Sequence, residues 1–310
     1  MSSVATNLGL FPVPPTRIVS GFTTCSFVDV PHVAKVALSD SALGIHKVSS
    51  QTSHNIVTPP CSEPVSREAH PQAWEAFFPE GSINPGNKQT APGGFGFYMQ
   101  GPGPFHKKLT QETPHEVVMS YEVMFEEGWE WRKGGKLPGI YGGVGESAYG
   151  CTGGRQTDRC KCFNLRLMWR ENGTGELYAY LPQDAANTAV MLAIPPRSIQ
   201  HPDYGFSVGR GAWKFVTGKW TAVAERVKMN TVGKANGEIE VFIDGRSVIK
   251  AIGLVLRDQE APSSCVRGMH FQTFFGGHSE DWASPKDQKA WFTNVSGAIL
   301  RPSAQPREEL

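Results

Sequence analysis

The sequence predicts an all-β protein built as a two-sheet β-jelly roll, and three observations support this fold class. The chain has 310 residues, 39% of them hydrophobic, which is enough for a sizeable core. Its 34 glycines and 23 prolines, with 10% aromatic residues, are typical of a chain with many turns and strands. Several segments alternate apolar and polar residues, whereas no segment shows sustained helical periodicity with caps. A two-sheet architecture fits this pattern.

The first elements are expected at the start of one continuous domain. We expect residues 1–15 to form a loose leader, residues 16–303 a single β-jelly-roll domain, and residues 304–310 a short tail. Weak alternation over residues 36–57 predicts edge strands. Residues 116–126 alternate throughout, which predicts a strand with one face in the core and the other in solvent.

A β-hairpin is predicted next. Residues 163–170 alternate, and a turn-forming sequence at 171–175 leads into a second alternating run at 176–181. The polar side chains of the two runs then share one face, since residues two apart on a strand project from the same side. These side chains are Asn164, Arg166, Tyr178 and Tyr180. If Arg170 pairs with Glu176 across the turn, Tyr180 lies opposite Arg166, and Tyr178 lies opposite Met168.

Further strands complete the fold prediction. Alternating runs cover residues 220–230, 239–243, 270–275 and 290–300. Asn236-Gly237 and Asp244-Gly245 are turn sequences between them, so this half of the chain is expected to form a meander. Glu238 and Glu240 alternate like the carboxylate pair of a glycosidase, but their position beside a turn indicates a solvent-facing hairpin edge.

Charge excludes some partners and indicates another. The formal net charge is +1, which argues against nucleic acid and membrane surfaces as partners. Residues 131–170 nevertheless contain eight basic and two acidic residues, an asymmetry that indicates an anionic ligand. Lys136 lies there within a glycine-rich stretch and is a candidate cation for such a ligand. The glycine-rich stretches do not fit a nucleotide-binding motif.

The cysteines and sequons favour an extracellular protein without a metal or cofactor. The six cysteines lack paired C-x-x-C spacing, and no acidic cluster indicates calcium. Two N-glycosylation sequons begin at Asn172 and Asn294 and fit a secreted protein, although residues 1–15 do not have the pattern of a signal peptide. We also expect the protein to be a monomer.

Four segments resemble polysaccharide lyase family 14, which contains alginate and glucuronan lyases. They are residues 136–143 (KLPGIYGG), 162–170 (CFNLRLMWR), 175–180 (GELYAY) and 271–278 (FQTFFGGH). The resemblance runs in order from about residue 74 to residue 299. It implies a β-jelly roll whose concave sheet forms an open cleft for a uronic-acid polymer.

The resemblance also implies roles for individual residues. The lysine, arginine and two tyrosines of the family motifs are Lys136, Arg166, Tyr178 and Tyr180 here, and they are the expected catalytic residues. Related lyases commonly have a serine where this chain has Asn164, an amide that can still donate to a carboxylate but that leaves the preferred uronate open. The other expected substrate-binding residues, beside Asn164, are Gln272, His278 and Tyr141.

A disulfide is expected beside these residues. The resemblance places a cysteine at both ends of the short segment from Cys151 to Cys162, with Cys160 as a rival partner. A pairing of Cys25 with Cys61 is a weaker expectation.

The expected chemistry is β-elimination of a 1,4-linked polyuronate, with glucuronan or alginate as substrate. Removal of the C5 proton needs neutralisation of the adjacent carboxylate, which arginine, lysine and asparagine can supply. A tyrosine has a usual pKa of about 10 and needs nearby cations to act as the base. We expect Tyr180 to move the proton and Tyr178 to orient the substrate. A non-catalytic module that binds acidic carbohydrate is the alternative, and a hydrolase is the third possibility.

Overall fold

Two largely antiparallel sheets of nine strands each form the frame of the protein in the computed structural model, which describes residues 9–60, 71–111, 116–155, 157–201 and 205–302. Sheet A consists of β1 (Ile18–Thr23), β2 (Val33–Lys35), β4 (Ile56–Val57), β5 (Ala73–Phe78), β7 (Glu116–Phe125), β14 (Trp220–Lys228), β15 (Gly237–Ile243), β16 (Arg246–Leu254) and β18 (Gln288–Leu300). Sheet B consists of β3 (Ile45–His46), β6 (Phe95–Met99), β8 (Gly135–Lys136), β9 (Gly139–Gly143), β10 (Cys162–Trp169), β11 (Gly175–Tyr180), β12 (Ile199–Gln200), β13 (Phe206–Val208) and β17 (Cys265–Phe275). This architecture confirms the all-β jelly-roll prediction.

Strand order places the predicted hairpin in the middle of sheet B. The order of sheet A is β16-β15-β14-β7-β18-β1-β2, with β5 on β18 and β4 on β5. The order of sheet B is β12-β13-β11-β10-β8-β17-β6-β3, and β9 continues the line of β8 between β10 and β17. The short strands within residues 36–57, which are predicted to form edges, lie at sheet margins, as β3 and β4 do.

Aromatic side chains fill the space between the sheets. The apolar residues of the hairpin, such as Leu165 and Leu167, point into this core together with Phe271 of β17. Trp74 of sheet A packs edge-on against the Phe271 ring, with 5.2 Å between the ring centroids. The alternation that buries one face of sheet B therefore leaves the polar side chains on its other face, which we call the site face.

Within the described residues, three α-helices have defined bounds, although the sequence showed no sustained helical pattern. They are α1 (Asp40–Leu43), α2 (Gly103–Gln111) and α3 (Ala185–Leu192). Asp184 caps α3, because its carboxylate accepts a hydrogen bond from the Ala186 N–H at 2.7 Å. These helices are too short for an amphipathic period to stand out in the sequence.

The outer face of sheet A is more covered than the sequence indicated. Strand β7 was predicted to be half-buried, but all ten of its residues are buried. Leu10, Phe11 and Val13, which belong to the expected loose leader, pack there instead, and Leu10 is 0% exposed. Ser120 of β7 donates a hydrogen bond to the Leu10 carbonyl at 2.7 Å. The prediction failed because alternation cannot reveal that another segment covers the polar face. Residues 1–8 and the expected tail 304–310 lie outside the described residues.

Glu238 and Glu240 lie on sheet A, away from the site face. Both pair with Arg226 of β14, with N···O distances of 2.7 and 2.9 Å. Strand β15 is interior to its sheet rather than an edge, and Glu240 is only 8% exposed. The pair therefore belongs to an ion-pair network on the outer face. No helix in the described residues is long and apolar enough to cross a membrane.

Candidate active site

The hairpin of β10 and β11 brings its four polar residues onto the site face. Asn164 lies opposite Tyr180, and Arg166 lies opposite Tyr178. The shared face was predicted correctly, whereas the register was wrong by two residues. The reason is the turn: the Arg170 N–H donates to the Thr174 carbonyl at 2.7 Å, so strand pairing begins at Trp169 and Gly175.

The Arg170–Glu176 contact that suggested the other register exists as a diagonal pair. Arg170 Nη2 lies 2.5 Å from Glu176 Oε1, although Glu176 pairs along the backbone with Met168. The second carboxylate oxygen of Glu176 accepts hydrogen bonds from Arg210 Nε at 2.5 Å and Ser207 Oγ at 2.8 Å. Burial alone would raise the pKa of Glu176, but these partners outweigh it and hold the pKa below its usual value.

A broken strand lies between β10 and β17. Strands β8 and β9 are separated by Leu137 and Pro138, and Pro138 has no N–H for a ladder hydrogen bond. Gly139 approaches β10 so closely that a Cβ atom would lie 2.2 Å from the Leu165 carbonyl oxygen. The proline and the glycine of this motif therefore shape the break.

Two side-chain pairs from β10 to β17 cross the broken strand. Arg166 Nη1 donates to Gln272 Oε1 at 2.5 Å. The Asn164 carboxamide lies 2.9 Å from Nδ1 of His270. Arg166 is 3% exposed and Asn164 is 0% exposed, so both are held firmly in the floor of the site face.

Contacts from sheet A hold the broken strand from the core side. Tyr121 Oη donates to the Pro138 carbonyl at 3.1 Å, and Glu225 Oε2 accepts from the Ile140 N–H at 2.6 Å. Glu225 is 1% exposed, and burial raises its pKa well above the usual value. Burial therefore favours the protonated form of this carboxyl group.

Lys136 is a buried amine in the site. It pairs along the backbone with Met168 on one side and Phe274 on the other. Its Nζ atom is buried and makes no hydrogen bond with the described residues, and it lies 3.4 Å from the centroid of the Tyr178 ring. Burial lowers the pKa of Lys136 well below its usual value, and the nearby Arg166 and Arg170 lower it further.

Tyr180 lies among cations. The Arg166 guanidinium carbon is 6.0 Å from the centroid of its ring, and Lys136 Nζ is 5.6 Å from it. Arg159 interacts with it electrostatically. The Tyr178 ring packs edge-on against the Tyr180 ring at 5.4 Å, and Tyr178 is the more exposed of the two. The site therefore offers phenols, an amide and cations within one patch.

His270 is a site residue that the sequence analysis missed. Its ring stacks on the Tyr98 ring with 4.2 Å between the centroids and 10° between the planes. Burial lowers its pKa well below 6.5, and Arg166 and Lys136 act in the same direction. His270 precedes Gln272 by two residues on one strand, so period-two reasoning could have placed it on the site face.

Two other predicted residues lie nearer the margins of the site face. Tyr141 pairs with Asn164 along the backbone, but its side chain is fully buried against the rings of Tyr98 and Tyr149. Burial raises its pKa above the usual value. His278 is exposed and lies beyond the end of β17.

The predicted disulfide joins Cys151 and Cys162, whose Cα atoms are 6.0 Å apart. It packs beside Tyr180 and ties the loop before β10 to the hairpin. Cys160, the rival partner, is a free thiol whose Sγ donates to Glu260 Oε2 at 3.4 Å. The Cys25–Cys61 pairing involves Cys61, which lies outside the described residues. The described residues contain no group of three His, Cys, Asp or Glu side chains that could hold a metal ion.

Comparisons with known proteins agree with this architecture. The model of the polysaccharide lyase 14 family matches residues 66–295. The chain is similar to the solved structure of the marine PL-14 alginate lyase from Aplysia kurodai, with 33% identity and a TM-score of 0.66, over 82% of this chain and 90% of that chain. It shares the fold of alginate lyase vAL-1 from Chlorella virus, with 19% identity and a TM-score of 0.59, over 83% of this chain and 93% of that chain. The comparison with curated protein sequences finds no match.

The family match covers most of the chain, and the segments that carry the resemblance lie next to one another in sheet B. The lysine, arginine and tyrosines of those segments meet on the site face. The chain therefore belongs to polysaccharide lyase family 14 and is a lyase that acts on polysaccharides.

Proposed function

We propose that this lyase cleaves a 1,4-linked polyuronate, either alginate or glucuronan, by β-elimination on the site face. The observation that carries the proposal is the buried Lys136 amine, which has no hydrogen-bond partner among the described residues and lies beside Arg166. A buried polar group without a partner is costly, and the carboxylate of a uronic acid supplies both a hydrogen-bond acceptor and a compensating charge. The similarity to an alginate lyase supports alginate as one substrate.

In the proposed reaction, Lys136, Arg166 and Asn164 bind the carboxylate of the sugar whose C5–H bond breaks. Their positive charge and N–H groups stabilise the enolate-like intermediate. Tyr180 accepts the C5 proton and returns a proton to the departing O4, while the C4–O4 bond breaks and a C4–C5 double bond forms. Tyr180 can carry out both proton transfers only on a sugar whose C5–H bond and O4 lie on the same side of the ring.

Tyr178 has a supporting role in this proposal. The Lys136 amine lies against the face of the Tyr178 ring. This tyrosine therefore positions the lysine and the sugar and does not transfer the proton. Gln272 positions Arg166 through their hydrogen bond. The exposed His278 is proposed to bind a more distant part of the polymer, and the buried Tyr141, which pairs with Asn164 along the backbone, is proposed to support the site face from below.

Action outside the cell is part of the proposal. The Cys151–Cys162 disulfide fits an oxidising compartment. Of the two sequons, Asn294 is 3% exposed and bonded to Glu122, whereas Asn172 is exposed at the hairpin turn. The monomeric state stays a prediction.

The experiment is an ultraviolet assay with glucuronan, alginate and pectate as separate substrates. Elimination creates a conjugated double bond that absorbs in the ultraviolet, whereas hydrolysis and simple binding do not. We expect activity on alginate or glucuronan, and we expect Tyr180→Phe to lower kcat by about 10²-fold or more. Tyr178→Phe is the matched variant and should lower kcat less.

Three outcomes contradict parts of this proposal. Binding of the polymer without any new absorbance would favour the carbohydrate-binding alternative. New reducing ends without absorbance would show hydrolysis. A Tyr178→Phe protein that loses more activity than Tyr180→Phe would exchange the roles of the two tyrosines and leave the elimination chemistry intact.

A further inference from the structure

We propose that His270 is a positioning residue that carries its proton on Nδ1 and holds the Asn164 carboxamide with its NH₂ group toward the substrate carboxylate. This inference rests on the proposed function, because it assigns a task to Asn164 during carboxylate binding. It concerns a side chain that acts through another and does not itself touch the sugar.

The geometry of the pair leaves one end of the carboxamide without a partner. In the structure Asn164 Nδ2 lies 2.9 Å from His270 Nδ1. Oδ1, the other polar atom of the amide, is buried and makes no hydrogen bond with the described residues. A half-turn of the amide about χ2 exchanges its oxygen and nitrogen with no other movement, so the proton position on His270 decides which end faces the site.

Burial favours the neutral imidazole of His270, and the position of its single proton then decides which atom of Asn164 it can bind. A protonated imidazole would donate from both nitrogens, but burial and the two nearby cations Arg166 and Lys136 disfavour that form. A neutral ring has one N–H and one lone pair. With the proton on Nδ1, the amide takes the orientation reached by that half-turn: His270 donates to Asn164 Oδ1, and the NH₂ group occupies the position that Oδ1 has in the structure.

The chemistry of the ligand selects this tautomer. An anionic carboxylate next to Arg166 and Lys136 needs hydrogen-bond donors, and an amide oxygen in that position would repel it. The opposite tautomer would present that oxygen. The ring itself is held in place because it stacks on Tyr98 and is only 5% exposed.

The pair also explains how an asparagine serves where related lyases commonly have a serine. A hydroxyl is both donor and acceptor and rotates to suit its partner, so it needs no second residue to orient it. A carboxamide has a donor end and an acceptor end, and therefore requires an orienting partner. His270 supplies that partner from the neighbouring part of sheet B.

The first test is ¹⁵N NMR of the histidine ring in the native protein, which needs no activity. We expect Nδ1 of His270 to give the signal of a protonated nitrogen, and Nε2 that of an unprotonated one, with no change between about pH 6 and 8. A protonated Nε2 with an unprotonated Nδ1 would overturn the proposal. If the protein lacked lyase activity, the proposed function would fail, while this measurement would still decide where the proton lies.

The second test is a set of matched variants. His270→Asn places an amide donor near the position of Nδ1 and should keep kcat/KM within about threefold of the native value, whereas His270→Gln, whose donor lies further out, should lower it about tenfold. Unchanged thermal unfolding of both variants would separate positioning from folding. Equal activity of the two would count against the proposal.

A double-mutant cycle tests whether His270 acts through Asn164. His270→Phe keeps the stacked ring but removes both nitrogens, and we expect about a tenfold loss in kcat/KM in the native background. In the Asn164→Ser background, the same change should cost less than about twofold, since serine needs no orienting partner. Equal losses in the two backgrounds would show that His270 acts independently of Asn164.

Discussion

At the scale of single residues, the buried amine of Lys136 lowers the stability of the unliganded protein and is suited to bind an anion. Its Nζ atom is buried beside Arg166 and lacks a hydrogen bond to the described residues, which is unfavourable in the unliganded protein. In the proposed function, the substrate carboxylate removes that penalty. Binding of the polymer and stability of the empty site therefore make opposite demands on this residue.

We expect Lys136→Met to stabilise the fold and to abolish activity. Methionine has a similar length and no charge, so the free energy of unfolding should rise by about 1 to 3 kcal/mol at pH 7. The pKa of Lys136 is lowered in the folded state, so the unfolded chain binds the proton more readily, and the penalty is lost as the pH rises towards the usual lysine value. The difference between variant and native protein should accordingly shrink towards pH 10. Denaturant unfolding and the ultraviolet assay measure both effects.

The control for this change is Lys133→Met. Lys133 is about half exposed and pairs with Asp281, so its replacement should alter stability by less than about 0.5 kcal/mol. A Lys136→Met protein that unfolds more easily than the native protein would show that the amine is stabilised by interactions other than those described.

At the scale of elements, the hairpin depends on a buried carboxylate. Glu176 is 0% exposed and connects Arg170 of the turn with Arg210 and Ser207 beside β13. It thereby links the end of β10 to the edge of sheet B. Removal of one partner from a buried ion pair is costly because the remaining charges keep their desolvation penalty.

We expect Glu176→Gln to lower the free energy of unfolding by about 3 kcal/mol at pH 7. The lowered pKa of Glu176 means that its contribution is present above the unfolded-state pKa and is lost as the pH falls through the folded-state pKa. The difference between native and variant protein should therefore shrink in acid. Guanidinium unfolding at pH 7 and pH 3 tests this, and an equal difference at both values would contradict the ionic explanation.

The hairpin also shows which features of a structural element can be predicted from the sequence. Alternation correctly predicted which side chains share a face, because a strand has a strict period of two. It failed on the register, since the Arg170–Thr174 backbone contact lies within the turn and a long arginine reaches Glu176 diagonally. His270 lies on the same face as the predicted residue Gln272, but only the pairing of β17 across the broken strand brings it to Asn164.

At the scale of the whole molecule, sheet A carries a buried acid of its own. Glu122 of β7 accepts a hydrogen bond from Asn294 Nδ2 at 3.0 Å, and burial raises its pKa from 4.5 to about 7. The fold therefore prefers Glu122 in its protonated form. Ionisation of this group disfavours the folded state.

We expect Glu122→Gln to change the pH dependence of global stability. A raised folded-state pKa means that the unfolded chain releases the proton first, so native stability declines as the pH rises from 4.5 through 7. Relative to the native protein, the variant should gain roughly 3 kcal/mol across this interval. Guanidinium unfolding at pH 4.5 and pH 8 measures the gain. Exposed Glu171→Gln serves as the control, and a pH-independent difference for Glu122→Gln would contradict the prediction.

The two-sheet architecture could be predicted from the sequence, but the segment that covers the outer face of sheet A could not. Composition and alternation predict two sheets, because each strand shows an apolar face that needs a partner. They did not predict that Leu10, Phe11 and Val13 pack on part of the outer face of sheet A, or that every residue of β7 is buried. Which sheet face a segment covers depends on contacts between residues that are far apart in the sequence. Local periodicity contains no information about such contacts.

The hydrogen bonds from sheet A to the broken strand have a consequence for protein engineering. Tyr121 and Glu225 reach through the core to Pro138 and Ile140, directly behind the strand that bears Lys136. A transplant of the site face onto another β-sandwich would therefore leave the Ile140 N–H without its acceptor if Glu225 were omitted, and the Pro138 carbonyl without its donor if Tyr121 were omitted. The part of this lyase that would have to be transplanted as a unit therefore includes residues of both sheets, and a library that randomises sheet A also changes the support of the site face.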